Sequence, residues 1–213
     1  MSQSKGEIRA YAQARRATLR ADQRAAGATA LRQALLPLAT GRVAAYASAP
    51  TEPGTAPLLA ALREAGVEVL LPVLRPDNDL DWALFEDELV AGLRGTRQPP
   101  GPLLGRDAIT DCRLVVVPAL AVDHAGTRLG RGGGSYDRAL SRARGSVVAA
   151  LFVGELHDRL PAEPHDRPVH GVVLPDRGLV QLRAHNLQPQ GLRPLEVTHP
   201  LDGPDAAPDE IPV

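Results

Sequence analysis

Cysteine is almost missing from this chain: Cys112 is the only one in 213 residues, so no disulfide can form within it. A reducing compartment suits that composition. Aromatic residues are also scarce, at 3%. A core must therefore be built mainly from Ala, Leu and Val. No run approaches the roughly 20 apolar residues of a membrane span. The N-terminal stretch MSQSKGEIRAYAQARRATLR is polar and basic and lacks the apolar centre of a secretory signal. Net charge is −1, and no block of like charge stands out. That argues against a broad nucleic-acid or membrane surface. The histidines His124, His157, His165 and His170 do not have zinc-ligand spacing. The expectation is a soluble cytoplasmic monomer that meets small molecules rather than nucleic acid or membrane.

What is present reads as one α/β domain with a mostly parallel sheet and helices on both faces. Residues 3–38 have helical spacing, with Asp22 as the N-cap that divides them into two helices. RVAAYAS (42–48) reads as a strand, APLLAALREAG (56–66) as a helix, and VEVLLP (67–72) and DLDWALFE (79–86) as strands. Residues 92–111 are rich in Gly and Pro and read as a connecting loop. RLVVVP (113–118) is a continuous apolar run suited to a central parallel strand. A helix is expected over 135–145, a strand over 146–152, a short strand at 171–174 and an edge strand at 178–183. The domain is placed at 1–185. The polar, Pro/Gly-rich residues 186–213 read as a flexible extension.

The most informative stretch is RLGRGGGSYDRAL (128–140), which follows the apolar strand. Four glycines fall within five positions. Glycine permits positive φ and removes the Cβ that would hold an anion away from backbone N–H groups. Gly130, Gly132, Gly133 and Gly134 thus read as a phosphate cradle, with the following helix N-terminus adding positive potential. Arg128 and Arg131 can add charge-assisted contacts. Asp137, one turn into that helix, is a carboxylate beside phosphates, a setting in which Mg²⁺ is common. No Gly-Lys-Ser/Thr follows, which excludes a Walker A loop, and the position past mid-chain does not suit a dinucleotide fingerprint. By themselves Lys5 and Arg9 are ordinary helix-surface charges, and Glu52 and Asp166 ordinary loop carboxylates. Trp82 reads as a strand residue with one buried face, and Cys112 as a small buried apolar residue.

The longer segment VPALAVDHAGTRLGRGGGSYDRAL (117–140) closely resembles the central motif of the 5-formyltetrahydrofolate cyclo-ligase family. KGEIR (5–9), YASAPTEPGT (46–55) and LPAEPHDRPV (160–169) resemble further family segments, in the family's order. The resemblance implies a fold in the sugar-phosphate isomerase and CoA-transferase group. It also implies ATP-dependent closure of 5-formyltetrahydrofolate to 5,10-methenyltetrahydrofolate, with release of ADP and phosphate. Carried over by position, Lys5 and Arg9 would contact ATP phosphates, with Lys5 and Arg131 acting in catalysis. Arg128, Leu129, Gly130, Arg131, Gly132, Gly133, Gly134, Ser135 and Tyr136 would wrap the triphosphate. Ala47, Glu52, Gly133, Gly134 and Ser135 would meet the folate, with Glu52 on the pterin edge. Asp137 and Asp166 would hold Mg²⁺.

Three positions depart from the family pattern. Ser135 replaces an aromatic residue, Gln98 a Glu, and His170 an Asp, and all three changes are expected to touch the folate or metal side. Two other readings follow from them: a relative that acts on a different formyl- or amide-bearing molecule, and a non-catalytic nucleotide- or folate-binding module.

Overall fold

The computed structural model describes residues 3–182; the expected extension over 186–213 lies outside the described residues. Helix α1 (Lys5–Ala17) starts at a capping box. The Ser4 hydroxyl accepts from the Glu7 N–H at 3.3 Å, and the Glu7 carboxylate accepts from the Ser4 N–H at 2.7 Å. Its buried side is Ile8, Ala12 and Arg16, four residues apart. Helix α2 (Ala21–Leu35) begins two residues earlier than a cap at Asp22 would allow. Arg20 is the extended N-cap, and the Gln23 side chain accepts its N–H at 3.0 Å. Asp22 lies instead in the first turn, where a carboxylate complements the helix dipole.

The remaining elements are β1 (Arg42–Ala44), α3 (Ala56–Glu64), β2 (Glu68–Leu74), β3 (Leu80–Leu84), β4 (Val90–Ala91), β5 (Arg97–Gln98), β6 (Cys112–Pro118), β7 (Ala121–Asp123), β8 (Arg128–Leu129), α4 (Ser135–Leu140), β9 (Ser146–Ala150), β10 (Leu156–His157), β11 (Gly171–Leu174) and β12 (Gly178–Gln181). Residues 92–111 are more ordered than a connecting loop. They complete the β4–β5 hairpin and include a 3₁₀ segment, Arg106–Asp111, that leads into β6. Helix α4 is also shorter than its pattern, ending at Leu140 rather than 145.

Seven strands form the main sheet in the order β12-β11-β9-β6-β1-β2-β3. The inner pairings are parallel and the two outer ones antiparallel. Adjacent residues on one strand enter opposite cores, as the two-residue period requires. Val43, Val69, Leu71, Leu114, Val116, Val148 and Val173 pack with Leu31 and Leu35 of α2 and Leu58 and Leu62 of α3. Ala44, Leu70, Val115, Val117, Val147, Ala149 and Val172 pack on the other face with Trp82, Ile109, Ala139 and Leu140. Trp82 is fully buried rather than buried on one face. Cys112 is buried and apolar in role, and burial pushes its thiol up to about 12.

A second sheet of three short strands, β10-β7-β8, grows from the end of β6. Helix α1 lies against it through one small core of Ile8, Ala121, Leu129 and Leu160. Ile8 thereby fixes the polar end of α1 beside the end of β8, where the glycine loop begins.

Candidate active site

The carboxyl ends of β1 and β6 and the loops that follow them open into one cavity of about 540 Å³. In open parallel sheets ligands bind at that end of the strands. Every residue picked out by sequence as a candidate lines this cavity: Lys5, Arg9, Ala47, Glu52, the continuous run Arg128–Asp137, and Asp166.

The glycine loop joins β8 to α4. Gly132 has φ +96° and Gly134, the N-cap of α4, has φ +67°, conformations that side-chain-bearing residues rarely adopt. The Arg9 Nε donates to the Gly130 carbonyl at 2.9 Å, and the Arg9 guanidinium carbon lies 3.6 Å from where a Gly132 Cβ would stand. Arg138 ties the loop to the turn before β3 by donating to both the Gly133 and Asn78 carbonyls at 3.0 Å. With α4 only six residues long, its dipole is weaker than a full helix would supply. Positive charge here comes chiefly from Lys5, Arg9, Arg128 and Arg131.

Arg128 is almost wholly buried. Its Nη2 donates to the Asp137 carboxylate at 2.8 Å, and its guanidinium sits 5.7 Å from the Tyr136 ring centre. Its buried Nε has no hydrogen-bond partner among the described residues. Burial raises the Tyr136 hydroxyl pKa well above the usual phenol range, so it stays neutral. Tyr46, also on the cavity wall, is pushed up by burial and by the Glu52 charge, and its hydroxyl donates to the Pro53 carbonyl.

Glu52 follows β1 on a short turn in which its carboxylate accepts the Ala49 N–H at 2.8 Å. Its other oxygen meets the Arg131 guanidinium at 3.2 Å, so an ion pair spans from the β1 turn to the glycine loop. Asp166 accepts from Lys5 Nζ at 2.9 Å and from the Glu163 N–H at 2.8 Å. Burial alone would lower the Lys5 ammonium pKa, but the Asp166 and Glu163 carboxylates outweigh it and raise the value. Burial likewise opposes ionisation of Asp166, and the Lys5 bond, the Glu163 N–H and the Lys5 charge together outweigh it, so that carboxyl titrates below its ordinary value.

Among the described residues Glu163, His165 and Asp166 bring ligand atoms within 4.8 Å of one another. Asp137 is not in that group. The N–H of Arg167, the chain neighbour of Asp166, makes a long 3.5 Å bond to the Asp137 carboxylate. Of the three family departures, only Ser135 lines the cavity. Gln98 sits on β5 against Gly92, and the His170 Nδ1 accepts the Val147 N–H at 2.8 Å beside the main sheet. The expectation that Gln98 and His170 would touch the folate or metal side therefore does not hold for the cavity wall.

Sequence reading missed Arg16. It is 2% exposed, lines the cavity floor and forms a forked pair with Glu155 at 2.8 and 2.7 Å. It also donates to the Ala119 carbonyl and covers the Phe152 ring at 5.4 Å. Its place in step with Ile8 and Ala12 was the available signal. Asp123 was likewise unassigned. Its buried carboxylate accepts N–H bonds from Ala125, Thr127 and Leu160 and so shapes the approach to β8.

A protein-family model described as the 5-formyltetrahydrofolate cyclo-ligase family matches residues 1–175. The chain is 45% identical over 149 residues to a 5-formyltetrahydrofolate cyclo-ligase from Mycolicibacterium smegmatis, covering 66% of this chain and 77% of that protein. It is 34% identical over 144 residues to a protein of the same name from Escherichia coli, covering 63% of this chain and 78% of that protein. Its fold is similar to an Aquifex aeolicus 5,10-methenyltetrahydrofolate synthetase, with TM-score 0.70 and 25% identity over 86% of this chain and 95% of that one. A 5,10-methenyltetrahydrofolate synthetase from Mycoplasma pneumoniae shares the fold at TM-score 0.61 and 15% identity, covering 80% of this chain and 98% of that one.

Proposed function

This chain belongs to the 5-formyltetrahydrofolate cyclo-ligase family, and from that premise we propose that it converts 5-formyltetrahydrofolate and ATP to 5,10-methenyltetrahydrofolate, ADP and phosphate. The observation that carries the assignment to this cavity is convergence. Lys5 and Arg9, Glu52, the 128–137 segment and Asp166 come from four separate stretches of chain and line one space.

The chemistry divides between the two ends of that space. The formyl oxygen attacks the γ-phosphorus and ADP leaves; the folate N10 then attacks the activated carbon and phosphate leaves. Little of this needs a covalent protein group. Catalysis rests on holding the γ-phosphoryl in line with the formyl oxygen and neutralising its charge. Lys5, Arg9 and the amides of Gly130 to Gly134 are suited to the triphosphate, with Leu129, Ser135 and Tyr136 bounding it. Arg131, the more exposed partner of Glu52, is placed to swing onto the transferring phosphoryl. Glu52, with Ala47 beside it, offers an acceptor to the N–H donors of the pterin edge. Ligand binding must then separate Glu52 from Arg131, since each is claimed by a different substrate.

Asp137 and Asp166 supply hard carboxylate oxygens beside these cations, a donor set that fits Mg²⁺. They would hold the ion directly or through water, and when bound it would screen the phosphate oxygens. The substrates are small molecules. No helix among the described residues is long and apolar enough to cross a membrane.

The test is to mix the chain with MgATP and 5-formyltetrahydrofolate and follow the methenyl product by absorbance. Product should appear, should require ATP, and should fall to background in Glu52→Ala. Absence of signal above that control rejects the proposal.

A further inference from the structure

The β4–β5 hairpin brings Arg94, Gly95, Thr96 and Arg97 onto the cavity wall. No role above uses it. Its turn is unusual. The Gly92 N–H donates to the Thr96 carbonyl at 2.8 Å, which leaves Leu93, Arg94 and Gly95 as a three-residue loop, and the Thr96 N–H donates to the Leu93 carbonyl at 3.1 Å, closing a turn with Arg94 and Gly95 at its centre. Arg94 has φ 54°, ψ 31° and Gly95 has φ 76°. A hairpin turn with positive φ at both central positions is ordinarily filled by Asn-Gly or Asp-Gly. An arginine there is held in the left-handed region against its own preference. Such strain at a cavity wall is a sign of function.

Charge points to the ligand. Neither Arg94 nor Arg97 has a carboxylate partner among the described residues; the Arg97 guanidinium donates to the Leu89 carbonyl at 3.0 Å. The acidic run Glu86, Asp87, Glu88 precedes the hairpin but lies outside the cavity wall, and Asp87 pairs with Arg63. The hairpin packs against β2, and Pro72 and Leu74 of β2 with Leu80 of β3 supply an apolar stretch of the same wall. The phosphates already have their own cations on the glycine-loop side.

We propose that Arg94 and Arg97 bind the carboxylates of the folate's glutamyl tail, with the apolar stretch against its benzoyl ring. This rests on the function proposed above and adds a site for the part of the substrate remote from the chemistry.

The turn itself provides a clean variant. Arg94→Asn removes the guanidinium while giving the position a residue that accepts left-handed backbone. The full chain and the variant would be titrated calorimetrically with triglutamyl and monoglutamyl 5-formyltetrahydrofolate, with a 5-formyltetrahydropterin that has no tail, and with MgATP. We expect Arg94→Asn to melt no lower than the parent and to bind the triglutamyl form about tenfold more weakly. Affinity for the tail-less pterin and MgATP should not move. Arg97→Gln should show the same pattern, which covers the case of a turn that tolerates Asn poorly. Unchanged triglutamyl affinity in both variants overturns the inference. So does an equal loss for the tail-less pterin, which would place the arginines on the pterin, or a loss for MgATP, which would place them on phosphate. A parent chain that binds no reduced pterin at all removes the proposed function, and this site with it.

Discussion

Replacing Glu155 by Gln should destabilise the chain severely and loosen its grip on nucleotide. Arg16 and Glu155 are each 2% exposed. Their fork is completed by the Phe152 N–H donating to Glu155 at 2.8 Å and by Arg16 donating to the Ala119 carbonyl. Neutralising one partner leaves the other charge buried and uncompensated, a loss of about 3–5 kcal/mol. For a chain of this size that lowers Tm by about 6–20 °C. The paired change Arg16→Met with Glu155→Leu removes both charges. It should recover part of the loss, because an apolar pair of similar volume is often tolerated. Recovery stays incomplete because the Phe152 N–H and Ala119 carbonyl lose partners, at about 1–3 kcal/mol each. Urea unfolding of Arg16→Met, Glu155→Leu and the double would give the coupling energy. Arg16 also anchors α1, which carries Lys5 and Arg9. The KM for ATP should therefore rise in each single variant at temperatures where it is still folded. Single losses below about 1 kcal/mol, or losses that add without coupling, would refute the reasoning.

Three further outcomes follow from other contacts. The Lys5–Asp166 bridge should give stability an acid limb. The Asp166 carboxyl titrates below its ordinary 3.8, so its contribution is present above that value and is lost as pH falls through the lowered one. Urea midpoints measured from pH 6 down to pH 2 should fall less in Asp166→Asn than in the parent. Gly132→Ala should forfeit about 1–3 kcal/mol through backbone strain at φ +96° and should weaken MgATP binding, as read by calorimetry, because its methyl faces the Arg9 guanidinium. Asp123→Asn can no longer accept all three N–H bonds from Ala125, Thr127 and Leu160. It should lower stability by about 1–3 kcal/mol in urea and raise amide exchange at Leu160.

Local chemistry made much of this molecule legible in one dimension. The run at 113–118 is apolar at every position but Arg113 and became the central strand β6, because a strand covered on both faces has no polar side to show. The glycine loop could be read because positive φ and close approach demand that residue type. The hairpin at 90–98 was missed for a related reason. Gly and Pro mark a departure from helix or long strand, and two-residue strands are too short for periodicity to reveal. Asp22 was misplaced as a cap because carboxylates are equally at home in the first turn. Arg16 looked like surface because arginine usually is; only a buried Glu155 makes its burial tolerable, and that partner lies 139 residues away.

Composition, strand–helix alternation and the 117–140 motif thus determined by themselves the α/β class, the glycine-rich loop and the family. These features are encoded by neighbours in sequence, whose backbone preferences and side-chain periods act locally. The tertiary structure alone decided which charges face one another. Lys5 meets Asp166 across 161 residues, Arg131 meets Glu52, and Arg94 and Arg97 line the same cavity with no carboxylate partner among the described residues. Such pairings depend on how the sheet order and the small α1 core bring distant segments together, and Coulomb energy answers to distance in space rather than along the chain.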